Sequence, residues 1–269
     1  MWTRKLLKQN AKVAFRRNFW LCVAVSLIAM LLGASSTGSK VEFTYEVSET
    51  EYGSQYDDLD AILGEDATDD NMDIFYDFMF SSIPILIVMM VIIIIVVIVF
   101  VILVSNIINI GHKRFYLENR EHKTKIAKVF YGFTGGRYAN NVWVMFCRDL
   151  YILGWSMLFV VPGLIKSFSY MMIPYILAEN PEISKTRAFE ISRQMMNGHK
   201  WDAFVLGLSF IGWQLLTTIT PLGIAGILWT GPYMDATYAE FYVALKAEAF
   251  QKGITDSTEL PGVSYPEFV

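Results

Sequence analysis

Cysteine is nearly absent. Cys22 and Cys147 are the only two in 269 residues, and both lie inside apolar runs. That excludes a disulfide framework and a metal site of the paired-cysteine kind. Histidine is scarce too, with three in the chain. His112 and His122 are too isolated to form a metal pair, and the expectation is that both are solvated. There is no nucleotide-binding loop. Gly132-Phe133-Thr134-Gly135-Gly136 is glycine-rich but matches no phosphate-binding pattern and reads as a turn. Charged residues make up only 18%, against about 25% in soluble domains. What fills the chain is apolar: 54% hydrophobic residues, with a mean hydropathy of +0.38. This composition points to the bilayer as solvent. Nothing in it specifies catalysis, a cofactor, a metal or nucleic acid.

Charge is informative once it is mapped by segment. Residues 1–17 carry Arg4, Lys5, Lys8, Lys12, Arg16 and Arg17 and no acid, with Leu6, Leu7, Val13 and Phe15 interleaved. This is an amphipathic helix on an anionic leaflet, at about 1 kcal/mol per basic residue, or a positive flank that fixes topology; the two readings are compatible. Residues 19–34 form the first hydrophobic run. With its basic flank and Gly33-Ala34-Ser35-Ser36 it passes for a cleavable signal peptide, but the spans that follow favour an uncleaved transmembrane helix. Residues 35–80 are acidic from Glu42 to Asp77, with Lys40 the only base. Asp58 and Asp60 do not extend to a calcium loop, because Ile62 stands where a third ligand is needed. A solvated acidic loop outside the cell is the expectation.

Residues 81–111 form a long apolar run with Ser82 and Pro84 at its start. Roughly 30 residues span about 45 Å, more than the ~30 Å hydrocarbon core, so the helix must tilt or protrude. Its β-branched residues suit a strand in water, but in lipid the backbone must satisfy itself, and helix wins. Residues 112–138 turn basic. The basic N-terminus, acidic 35–80 segment and basic 112–138 segment together place the N-terminus inside and the acidic loop outside.

A third span at 139–161 contains Arg148 and Asp149. Pro162-Gly163 breaks the chain, with Lys166 just beyond, and residues 164–178 return as a short span kinked at Pro174. Ser184 and Gly198 bracket an amphipathic helix, 184–197, on the inner surface. Residues 201–220 form a fifth span. A sixth begins at Pro221 and is interrupted by Gly231-Pro232 ahead of Asp235. The tail 246–269 is expected to be flexible and cytoplasmic. The fold class is therefore all-α: a polytopic transmembrane bundle of about six spans over 18–245, with an amphipathic helix between spans four and five. Arg148, Asp149, Lys166 and Asp235 are the candidate functional residues, because ionisable groups inside a membrane are costly and tend to be functional. A pairing of Arg148 with Asp235 or Asp149 is the sharpest structural expectation.

From Pro162 to Tyr170 the chain reads PG-x-x-K-x-x-x-Y. It leads into YILAENPEIS and a stretch ending MMNGHKW, then LSFIGW and a GPY-x-x-A-T-x-A-x-FY pattern from Gly231 to Tyr242. These runs resemble a bacterial family of multi-pass membrane proteins, the domain-of-unknown-function family numbered nine-seven-five. A looser similarity links the same core to the membrane domain that accompanies some glycerophosphodiester phosphodiesterases. The resemblance implies a six-helix protein of the bacterial cytoplasmic membrane and no particular reaction; these residues hold no soluble phosphodiesterase domain, so that activity is not carried over.

Three functions fit the sequence. One is a non-enzymatic component that works beside a transporter or in the envelope, with anionic inner-leaflet lipids and a membrane-protein partner. Another is an intramembrane lipid-acting enzyme, and the third is a structural or regulatory subunit. A water-filled cavity reaching Asp235 favours transport, carboxylates converging with a basic residue at a lipid-facing groove favour an enzyme, and a dry, fully packed core favours a structural subunit.

Overall fold

The computed structural model describes residues 3–32, 64–121, 123–134, 137–219 and 229–262. Their secondary structure is helical, with no strand among the described residues. The helices are α1 (Arg4–Arg17), α2 (Phe19–Leu31), α3 (Gly64–Phe100), α4 (Asn106–Asn119), α5 (Tyr138–Leu158), α6 (Val160–Ser169), α7 (Ile173–Glu179), α8 (Lys185–Met195), α9 (Lys200–Ile219) and α10 (Gly231–Gln251). A π-helical turn, Val101–Ser105, precedes α4, and a 3-10 segment, Ile126–Phe133, follows it. The chain forms two compact units, one of residues 1–40 and 100–269, the other of residues 41–99.

In the second unit, α3 is longer than the expected span. It takes in Gly64–Phe80, which the sequence assigns to the acidic loop, and it carries Pro84 in its interior rather than at its first turn. Asp58 and Asp60 lie outside the described residues. The stretch Ser82–Asn119 is long and apolar enough to cross a membrane, as is Val160–Glu179. Along the first, an 18-residue window has a mean hydropathy of 4.0, and none of it is buried.

The first unit is organised around α4, every residue of which is buried. The sequence expectation that residues 112–138 form a solvated basic loop fails here for residues 112–119, while Lys123, Lys125 and Arg137 beyond them are exposed. α4 packs against α2, α5, α7, α10 and the 3-10 segment. Two glycines permit the closest of these approaches: a Cβ on Gly111 would overlap the Val129 backbone, and one on Gly132 would overlap Ile107. α1 packs along α10 through Leu7, Ala11, Ala14 and Phe15. Its apolar face is thus used by the protein, and its basic residues stay at the surface.

Two breaks fall where proline chemistry puts them rather than at the proline itself. The chain turns at Phe159, in extended geometry, and Pro162-Gly163 sits inside the first turn of α6. There a proline lacks no partner it would otherwise have. The return segment then breaks at Tyr170–Met172, with Pro174 in the first turn of α7. Pro232 likewise lies in the first turn of α10, directly after the π-helical residues Trp229 and Thr230. Pro221, the expected start of the sixth span, lies outside the described residues. α8 agrees with its sequence signals. The Ser184 side chain caps it by accepting from the Arg187 N–H, and Ala188, Ile191 and Met195 are buried.

In place of the flexible tail expected from residue 246, α10 runs on to Gln251 and residues 252–262 fold back onto the start of α8. Arg187 donates to both Glu259 carboxylate oxygens, at 2.7 and 2.8 Å, and to the Ile254 carbonyl at 2.8 Å. Asn180 donates to the Glu259 carbonyl. The Arg187 bond holds the Glu259 carboxyl below its ordinary range, and the same bond, with one to Glu190, raises Arg187.

Candidate functional site

α4 is polar for a helix with no solvent face, and its charges are balanced by partners from distant parts of the chain. Lys113 Nζ lies 3.1 Å from Asp235 Oδ1, a carboxylate only 1% exposed. His112 Nε2 lies 3.3 Å from Asp235 Oδ2. Ser26 on α2 donates to the same oxygen at 3.4 Å. The Ser26 and Tyr116 hydroxyls also lie 2.8 Å apart, with the Cys22 carbonyl 3.2 Å from Tyr116, so their two protons serve two of these three contacts at a time. A buried chain of polar groups thus runs from α2 through α4 to α10.

Two further clusters lie on the next turns of the chain. Arg114 bonds Glu118 at 3.1 Å and donates to the Ala178 carbonyl at 2.6 Å, and its guanidinium lies over the Tyr131 ring at 3.8 Å. Lys128 and Thr124 complete the surroundings of Glu118. Arg120 then grips Glu240 in a two-bond fork, at 2.7 and 3.2 Å. An uncompensated charge at such depth costs several kcal/mol, so α4 is buried only because each of these partners is in place.

A cavity of about 380 Å³ opens beside the first cluster. Lys113, Asp235, Asn109, Arg148 and Tyr238 contribute to its wall. Of the four candidates from sequence, the structure therefore brings Asp235 and Arg148 to one cavity. Arg148 makes its ion pair with its own neighbour, its Nε and Nη2 lying 3.0 and 2.6 Å from Asp149 Oδ1. Successive side chains on a helix diverge by about 100°, but the arginine stem is long enough to swing across. Asn106 donates to the other Asp149 oxygen at 2.7 Å. Lys166 stands apart, over the Trp155 ring at 5.0 Å.

His112 and Lys113 are the residues that sequence reasoning missed. His112, expected to be solvated, is fully buried. The available signal was the cluster Ile107, Ile108 and Ile110 just before it, continuous in helical phase with the polar residues. Among the described residues no group of three or more His, Cys, Asp or Glu is placed to hold a metal ion. His122 lies outside them.

These features define an all-helical protein built on a buried, charge-neutralised helix beside a polar cavity. The family model described as "Protein of unknown function (DUF975)" matches residues 18–249, and the chain belongs to that family. Comparison with curated proteins and with solved structures finds no match.

Proposed function

We propose that this is an integral membrane protein of six spans that works as a non-enzymatic, transport-associated or envelope component. The exposed apolar part of α3 carries the membrane reading. Its residues from Ile83 to Phe100 are apolar around the whole helix and face outward. A helix apolar on all sides belongs inside a core or a bilayer, and each such side chain left in water forfeits roughly 1.5–3 kcal/mol. α2, α3, α5, the α6–α7 pair, α9 and α10 are the six spans of this reading. The N-terminus and α8 lie in the cytoplasm and residues 35–63 outside.

The cavity lined by Asp235, Lys113 and Arg148 supports transport over a purely structural role. A packed scaffold has no use for ionisable groups around an open volume. The lipid-acting enzyme is less well supported, since no histidine belongs to the described lining of that cavity to join its carboxylate and lysine. Membrane integration is tested by alkaline carbonate extraction of cell membranes. The chain is expected to stay in the pellet; release as a monodisperse soluble protein would overturn the reading. Transport association is tested by affinity purification in mild detergent, with mass spectrometry of co-purifying proteins and lipids. Recovery of the same transporter subunits from either tagged terminus supports it, and recovery of this chain alone removes it.

A further inference from the structure

A second cavity, of about 320 Å³, lies between α1, α9 and α10, and Asp235 is not part of its wall. Lys8, Lys12 and Arg16 stand along one side of it, and Phe15, Phe210, Trp229 and Tyr233 form much of the rest. The three cations recur every fourth residue, so they share one stripe of α1. No carboxylate belongs to the described lining. Lys12 and Arg16 have no hydrogen bond or ion pair among the described residues, and both are exposed. Lys8 is held in place: it donates to Ser209 Oγ at 2.8 Å, and its ammonium lies 4.5 Å from the Phe210 ring centroid. Tyr233 donates to the Lys8 carbonyl at 3.3 Å. The floor is apolar and buried, with Phe15 and Phe210 almost fully enclosed. Trp229 packs edge-on to Phe15 at 5.6 Å while half its surface stays exposed.

Three cations with no counter-charge among the described residues call for an anion. An aromatic floor is a poor seat for a free, strongly hydrated phosphate, and a good one for an anion that carries an acyl chain. Exposed tryptophans, here Trp20 and Trp229, favour the level of lipid headgroups. We propose that this cavity holds an anionic glycerophospholipid. Lys8, Lys12 and Arg16 face its phosphate, and its chain lies along Phe210 and Trp229. The proposal rests on the membrane location argued above. It differs from surface attraction of α1 as a whole, because it assigns binding to one stripe of that helix.

The test uses the full-length protein in neutral detergent, titrated with brominated phosphatidylglycerol. Binding is read as quenching of Trp229, taken as the difference between the wild type and Trp229→Phe. Lys12→Gln with Arg16→Gln is expected to raise Kd about twenty-five-fold, at about fivefold per lost cation. Arg4→Gln with Lys5→Gln removes the same charge outside the cavity and is expected to change Kd less than about threefold. If the two double variants lose binding equally, general surface charge explains the effect and the site is overturned. Equal quenching by brominated phosphatidylcholine with the same chains overturns it too. So does displacement of the lipid by glycerol 3-phosphate, which would make a soluble phosphate the ligand. Should the double variant not fold, Lys12→Gln alone is expected to give the fivefold step. A chain that stays in carbonate-washed membranes yet shows no lipid preference loses this site and keeps its membrane location.

Discussion

Asp235 and Arg148 look alike in sequence, as ionisable residues within apolar runs, but the energies at stake differ. Asp235 is buried with Lys113 and His112 against it, so Asp235→Ala leaves a lysine in the core without its counter-charge. The expected loss is about 3–5 kcal/mol, read as a fall in the unfolding midpoint in detergent. Lys113→Met with Asp235→Leu removes both charges, and most of that stability is expected to return. Arg148→Ala leaves a milder problem. The Asp149 side chain is 38% exposed and keeps its bond from Asn106, so a loss of about 1 kcal/mol or less is expected. A large loss would mean that Arg148 supports the cavity wall in a way its ion pair does not reveal. The sequence marked Asp235 as a candidate but not its partners. Lys113 is 122 positions away and sits in a basic stretch that looks like any solvated loop. Only the fold distinguishes a paired lysine from a hydrated one.

At the level of elements, the same reason explains what was legible. α8 announces itself through its cap, its apolar spacing and the glycine after it, all local signals. α4 has none of these, because its polar residues are satisfied by other elements. Its contact with the 3-10 segment depends on Gly111, where an added methyl meets backbone, which cannot rotate away. Gly111→Ala is expected to lower stability by about 1–3 kcal/mol. Gly154→Ala, where nothing lies within 4 Å, is the matched control and is expected to be neutral or stabilising. The folded-back segment 252–262 gives a pH dependence. Glu259 has a lowered pKa in the fold, from an ordinary value of 4.5, through its bond with Arg187. Its contribution is therefore complete above about pH 4.5 and is lost as pH falls through the lower folded value. Hydrogen exchange in residues 252–262 is expected to speed up on acidification below about pH 4.5. In Arg187→Ala it is expected to be fast already at neutral pH.

For the whole molecule, the fold redistributes the charges that set its orientation. The sequence counts Lys113, Arg114 and Arg120 toward a basic inner loop, yet all three are consumed in ion pairs inside the bundle. Cations committed to the core no longer report which side of a membrane a loop occupies. The exposed basic signal lies mostly in α1, at Arg4, Lys5, Lys12, Arg16 and Arg17, with Lys123, Lys125 and Arg137 still exposed in the 112–138 segment, and the opposing acidic signal in residues 35–63. The proposed orientation then rests mainly on the first span and its two flanks, as expected where the first helix dominates topology. Single-cysteine labelling in intact cells tests it against a quiet background, since Cys22 and Cys147 are both buried. A cysteine at Ser48 is expected to react with a membrane-impermeant maleimide from outside. One at Gln9, exposed on α1, is expected to react only after permeabilisation. The reverse pattern would overturn the orientation and leave the membrane location intact. Labelling of both positions in intact cells would overturn a single span between them.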